Sequence, residues 1–117
     1  MSIDLIWIAV KDFEAGLKEY TQTFGFKILQ QSPEWKWAEL QSMDGGCILG
    51  LCEGNKELSA GSNAVVTITV KDLEQKKQEL TKQGAKLVGE TMVIPEQVKL
   101  QTLIDKSGNR LQIVQKL

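Results

Sequence analysis

The sequence predicts an α+β fold made of two tandem βαβββ modules, and three observations predict it. The first is an internal repeat. Ile8-Ala9-Val10-Lys11-Asp12-Phe13-Glu14 returns sixty residues later as Ile68-Thr69-Val70-Lys71-Asp72-Leu73-Glu74, and a repeat of that size fixes the architecture before any local assignment. The second is periodicity: each copy passes from apolar alternation to a helical stripe and back to alternation. The third is size. A half of about sixty residues would bury only roughly 60% of its unfolded surface, so joining two copies reaches a stable size that one does not.

Copy one opens with a strand from Ile3 to Val10. Ile6, Ile8 and Val10 form one face and Leu5, Trp7 and Ala9 the other. Asp12 is suited to cap a helix, and Glu14 complements the dipole in its first turn. Phe13, Leu17, Tyr20 and Phe24 make the apolar stripe of that helix, which Gly25 ends in the left-handed cap position. A strand over Lys27 to Gln31, a turn at Ser32-Pro33-Glu34 and a strand over Trp35 to Ser42 follow. Asp44-Gly45-Gly46 then makes a tight turn into a strand from Cys47 to Cys52.

Copy two repeats the order. Ala64 to Val70 is a strand, with Val66, Ile68 and Val70 on one face against Val65, Thr67 and Thr69. Asp72 caps a helix ending at Gly84. Lys86 to Glu90 and Val98 to Ile104 are strands, and Asp105-Lys106-Ser107-Gly108-Asn109 turns into the last strand, Arg110 to Gln115. Lys77 stands where Leu17 stands in copy one, so this helix is expected to pack less tightly. The modules are read as residues 1–53 and 64–117, joined by a polar, glycine-containing linker at 54–63.

Composition excludes several partners. With 14 basic against 15 acidic residues and no basic run, the chain is not expected to bind nucleic acid. No stretch approaches the roughly 20 apolar residues of a membrane span. The apolar start lacks a basic region and a cleavage site, so it reads as a strand and not as a signal peptide. Cys47 and Cys52 fall on opposite faces of one strand, too far apart to bridge. Free thiols point to the reducing cytoplasm.

A strand ending in Val-Lys-Asp-Phe/Leu-Glu, a helix ending in Gly25-Phe26-Lys27 or Gly84-Ala85-Lys86, and the run Asp105 to Ile113 together resemble the glyoxalase and bleomycin-resistance proteins of the vicinal oxygen chelate superfamily. The resemblance spans nearly all of both copies. It implies that the two modules form a U-shaped, incomplete barrel around a ligand cleft, and that the protein is a homodimer. It also implies four metal-ligand positions. Seven residues before each capping Asp stand Leu5 and Val65; four residues after each turn glycine stand Leu49, counted from Gly45, and Gln112, counted from Gly108. Three aliphatic side chains and one amide make a poor set for any divalent ion, and the chain has no histidine to substitute. No metal, no other cofactor and no family-type metal catalysis are therefore expected.

Other chemistry has weak support. Cys47 shares sequence parity with Leu49 and Leu51 and reads as a buried thiol, since no histidine can activate it. Glu39 reads either as a carboxylate base or as a solvated strand residue. All three tryptophans lie in copy one. Trp7 is expected to face the cleft, whereas the face of Trp35 and Trp37 stays open. Alignment of Trp37 with Leu100 suggests the helix side, and the alternation of Ala38 and Leu40 suggests the reverse. The expected function is metal-free binding of a small organic molecule, such as a planar aromatic one, against Trp7, Trp35, Trp37, Glu39, Leu49, Thr67, Thr69 and Gln112. Two alternatives are a superfamily lyase, isomerase or dioxygenase using a carboxylate or weak metal site, and a non-catalytic interaction module.

Overall fold

The computed structural model describes residues 5–56, 59–61 and 64–117, so the expected strand start at Ile3 and part of the linker lie outside the described residues. The chain divides into two compact units, Met1–Ala64 and Val65–Leu117. In the first, β1 (Leu5–Val10) leads to α1 (Phe13–Lys18), a π-helical turn (Glu19–Thr23), β2 (Lys27–Ser32), a 3-10 turn (Pro33–Trp35), β3 (Trp37–Ser42) and β4 (Gly45–Glu53). In the second, β5 (Val65–Thr69), α2 (Leu73–Lys82), β6 (Lys86–Ile94), β7 (Val98–Ile104) and β8 (Arg110–Lys116) repeat the βαβββ order. The sheets are ordered β1-β4-β3-β2 and β5-β8-β7-β6. In each, the first strand pairs parallel to the last and the other pairs are antiparallel.

Each helix starts as its sequence dictates. The Asp12 carboxylate accepts from the Ala15 N–H at 3.3 Å, and that of Asp72 from the Gln75 N–H at 3.1 Å. A second cap is invisible in the sequence. The end of each unit's last strand reaches back to the first N–H of the helix: Phe13 N–H donates to Glu53 at 3.1 Å and Leu73 N–H to Gln115 at 2.8 Å. Gly25 (φ 76°) and Gly84 (φ 94°) take the left-handed conformation beyond the helical segments.

The core of the first unit lies between α1 and one sheet face. Ile8, Val10, Ala38, Leu40, Leu49 and Leu51 are buried there with Phe13, Leu17 and Tyr20. Gly16 sits so close to the Val10 side chain that a methyl group would clash, which lets the helix lie flat on the strand. Ile6, expected on this face, is half exposed. Tyr20 is fully buried against Phe24 and Phe26, with ring centroids 5.1 and 6.0 Å away.

The helix of the second unit buries only Leu73 and Leu80. Between them Lys77 Nζ donates to Thr91 Oγ1 at 2.6 Å, whose hydroxyl meets Gln101 Oε1 at 3.1 Å. Gln101 is fully buried, and its amide nitrogen donates to the carbonyls of Val88, Gly89 and Thr102. It thus satisfies the backbone where β6 slips register against β7, between Val88 and Met92. That slip carries β6 past Glu90, where the alternation suggests an end, to Ile94.

Candidate functional site

The face of the first sheet away from α1 collects the aromatic and carboxylate groups. One row runs across all four strands, because Trp7 pairs with Gly50, Gly50 with Glu39 and Glu39 with Gln30. Trp37 lies two residues from Glu39 and so on the same face. The Trp7 and Trp37 rings meet edge-to-face, with centroids 6.2 Å apart and planes at 67°. Trp7 remains 48% exposed, leaving ring surface available for contact.

Glu39 is anchored within this pair. Trp37 Nε1 donates to its Oε2 at 3.1 Å and Gln30 Nε2 donates to the same oxygen at 2.5 Å. The indole N–H, followed by the amide, holds this carboxyl below the usual carboxylate range. At neutral pH it is therefore an anion fixed beside two tryptophans. Cys52 pairs with Trp37 on this face, and burial pushes its thiol up, away from thiolate reactivity.

The open question over Trp37 resolves by register. Trp37 does correspond to Leu100, since each sits two residues before the β3 or β7 residue in the shared row. Both lie on the helix-free face, whereas Ala38 and Leu40 turn inward. Trp35 does not join them. It ends the 3-10 turn that Pro33 starts, at 80% exposure, where an alternating strand was expected.

Leu49 is also misplaced by the sequence. It pairs with Leu40 and is buried on the helix side. Trp7 pairs with Gly50 as Thr67 pairs with Gln112, so Gly50 is the true counterpart of Gln112. The glycine four residues earlier is Gly46 (φ 95°), matching Gly108 (φ 90°); counting from Gly45 shifts the strand by one residue and reverses its faces. Cys47, on Leu49's parity, is exposed and not the buried thiol expected.

On the second sheet the helix-free face carries the row Thr67–Gln112–Thr102–Val88, with Thr69 in the next row. Thr102, Val88, Gln30 and Gly50 are the members of these rows that sequence reasoning missed. Gln30 becomes visible only once the slip between Ile28 and Gln30 sets its partner. The metal-ligand positions implied by the resemblance become Leu5, Gly50, Val65 and Gln112. A glycine, two aliphatic residues and one amide do not fit a divalent cation. Among the described residues no three His, Cys, Asp or Glu side chains gather into a metal-binding group. A shallow depression of about 450 Å³ beside Lys11, Gly54, Asn55 and Lys56 lies apart from the tryptophan row and presents no aromatic surface.

Among the described residues no helix is long and apolar enough to cross a membrane. Comparison with protein families matches residues 2–113 to the Glyoxalase/Bleomycin resistance protein/Dioxygenase superfamily. No curated protein matches the sequence significantly. Solved structures share the fold. TnmS3, an antibiotic binding protein from Streptomyces sp. CB03234, superposes with a TM-score of 0.85 at 20% identity, over 100% of this chain and 97% of its own. A superfamily member from Sphaerobacter thermophilus DSM 20745 gives 0.82 at 17% identity, over 99% and 98%. TioX from Micromonospora sp. ML1 gives 0.76 at 20% identity, over 100% of each chain.

Proposed function

This chain belongs to the Glyoxalase/Bleomycin resistance protein/Dioxygenase superfamily, and from that premise we propose that it binds a small planar organic molecule, without a metal, on the Trp7–Trp37 face of its first sheet. The edge-to-face tryptophan pair beside the anchored Glu39 carries this reading. A flat ligand would stack on the exposed ring surface and gain roughly 0.5–1.5 kcal/mol per ring pair beyond area burial. On the second sheet, taken by itself, Thr67, Thr69 and Gln112 place hydroxyl and amide groups on the helix-free face. The antibiotic-binding activity of TnmS3 on the same fold supports this class of ligand. Metal independence is supported by the donor set at Leu5, Gly50, Val65 and Gln112.

Use of Glu39 as a general base has less support, because its hydrogen bonds lower its proton affinity where a base needs it raised. The proposal extends to a cytoplasmic homodimer. It draws on the two free cysteines and on the exposed Met92, Val93 and Ile94 of edge strand β6. The test is tryptophan fluorescence titration with planar polycyclic compounds in EDTA. Saturable quenching that is lost in Trp7→Ala is expected. No quenching by any compound, or quenching only after a divalent metal is added, would overturn the reading.

A further inference from the structure

The second sheet, taken by itself, presents a different chemistry. Leu103, Leu111 and Ile113 turn inward and are buried, so the alternate positions of β7 and β8 form the helix-free face. Three rows cross it in order. The first pairs Arg110 with Ile104 and Ile104 with Lys86, the second pairs Gln112 with Thr102, and the third pairs Val114 with Leu100 and Leu100 with Met92. The face therefore passes from basic to hydrogen-bonding to aliphatic over about 13 Å of β8, at roughly 3.3 Å per residue. None of these row members is buried. We propose that this face binds an organic anion, an aliphatic carboxylate, with Arg110 holding the carboxylate and the third row its chain.

Charge complementarity carries the assignment. The ladder-paired positions of this face hold three charged side chains, Lys86, Arg110 and Lys116, and no carboxylate. Glu90, the one acidic residue within β5 to β8, falls in the slip between Val88 and Met92. Among the described residues neither Arg110 nor Lys86 enters an ion pair or a side-chain hydrogen bond. Their charges are thus left for a ligand. The planar guanidinium fork matches both oxygens of a carboxylate, and Lys86, two strands and roughly 10 Å away, adds a second positive charge. Gln112 and Thr102 bring neutral donors to the same anion. Lys116 is a poorer head-group site, since its row continues through Val98 and Ile94 without another donor. The body is aliphatic because residues 65–117 contain no Phe, Trp or Tyr on which a ring would stack.

The probes are octanoate, octanamide and octylammonium, which share a chain length and differ in head-group charge, titrated by calorimetry below their micellar range. The wild-type protein should bind octanoate saturably, about tenfold tighter than octanamide, and octylammonium more weakly still. Arg110→Gln should weaken octanoate about tenfold, to the level of octanamide. Lys82→Gln removes the same charge from an exposed position on α2 and should bind octanoate as the wild type does. Thermal melts check that both variants are folded. No saturable binding of octanoate, an equal affinity for octanamide or octylammonium, or an equal loss in the two variants would overturn the assignment. An aliphatic acid has no ring to stack, so these outcomes bear on the second sheet alone. A failure of polycyclic compounds to quench tryptophan would bear on the first.

Discussion

The indole of Trp37 lies over the backbone of Gly50, in the space that any side chain at position 50 would occupy. Trp7 closes the other side, its Cβ 2.8 Å from where a Cβ on Gly50 would stand. The glycine is required by this approach and not by its own backbone angles. Gly50→Ala should therefore push Trp37 off its seat and destabilise the fold by about 1–3 kcal/mol in urea denaturation. The near-ultraviolet circular dichroism of the tryptophan pair should change with it. An unaltered spectrum in a folded variant would mean that the rings are not packed on this backbone.

Glu53 joins two parts of the first unit, accepting from the Phe13 N–H and pairing with Lys36 at 2.7 Å. The Lys36 hydrogen bond, then the Phe13 N–H, holds its carboxyl below the usual range. A depressed folded-state pKa gives stability that is present above the unfolded value and lost as pH falls through the folded one. Glu53→Gln should keep the cap, as Gln115 does in the second unit, while removing this acid-sensitive component. Its melting temperature should lie below the wild type near neutrality and fall less steeply below about pH 4.5, so that the two profiles converge in acid. Identical pH profiles for the two proteins would rule out this role.

The legible parts of the fold were those written locally. Asp12 and Asp72 announce helix starts, Gly25 and Gly84 announce ends, and the duplicated order follows from them. Trp7 falls on the helix-free face because β1 alternates without interruption. What depended on pairing was not legible. Glu53 and Gln115 cap helices whose first residues lie 40 and 42 positions away. Leu49 and Gly50 exchanged roles because consecutive glycines, Gly45 and Gly46, leave the register free by one residue. Trp35 fell off its expected strand because Pro33 starts a 3-10 turn that alternation cannot reveal.

Asp105 shapes the turn into β8. Its Oδ1 accepts from the N–H groups of Ser107 and Asn109, each at 2.8 Å, and its Oδ2 from Asn109 Nδ2 at 3.0 Å. All three residues are buried. Asp105→Ala would leave two buried N–H groups without this acceptor, at a cost of about 2–4 kcal/mol. Asp105→Asn should cost less, since one amide oxygen can still serve both. Equal losses for the two variants, measured by urea denaturation, would show that the acceptor is not what the turn needs.

Lys77 and Gln101 occupy the places held in the first unit by Leu17 and Ala38, so transplanting those residues separates packing from polar satisfaction. Gln101→Ala strips three carbonyls at the β6 slip of their donor and opens a void, and should destabilise by about 2–4 kcal/mol. Lys77→Leu is different. Thr91 still donates to Gln101, and the half-buried lysine stem is replaced by a branched apolar chain. What is lost is the Lys77 hydrogen bond to Thr91 Oγ1, whose oxygen keeps its other contact, and a weak pairing with Glu74 at 3.8 Å. Its stability should stay within about 1 kcal/mol of the wild type. If Lys77→Leu proves as damaging as Gln101→Ala, the ammonium is an integral part of the network. If Gln101→Ala is harmless, the slipped strand finds its donors elsewhere. The expected contrast would make the loose packing of α2 a consequence of the bulge that Gln101 must serve.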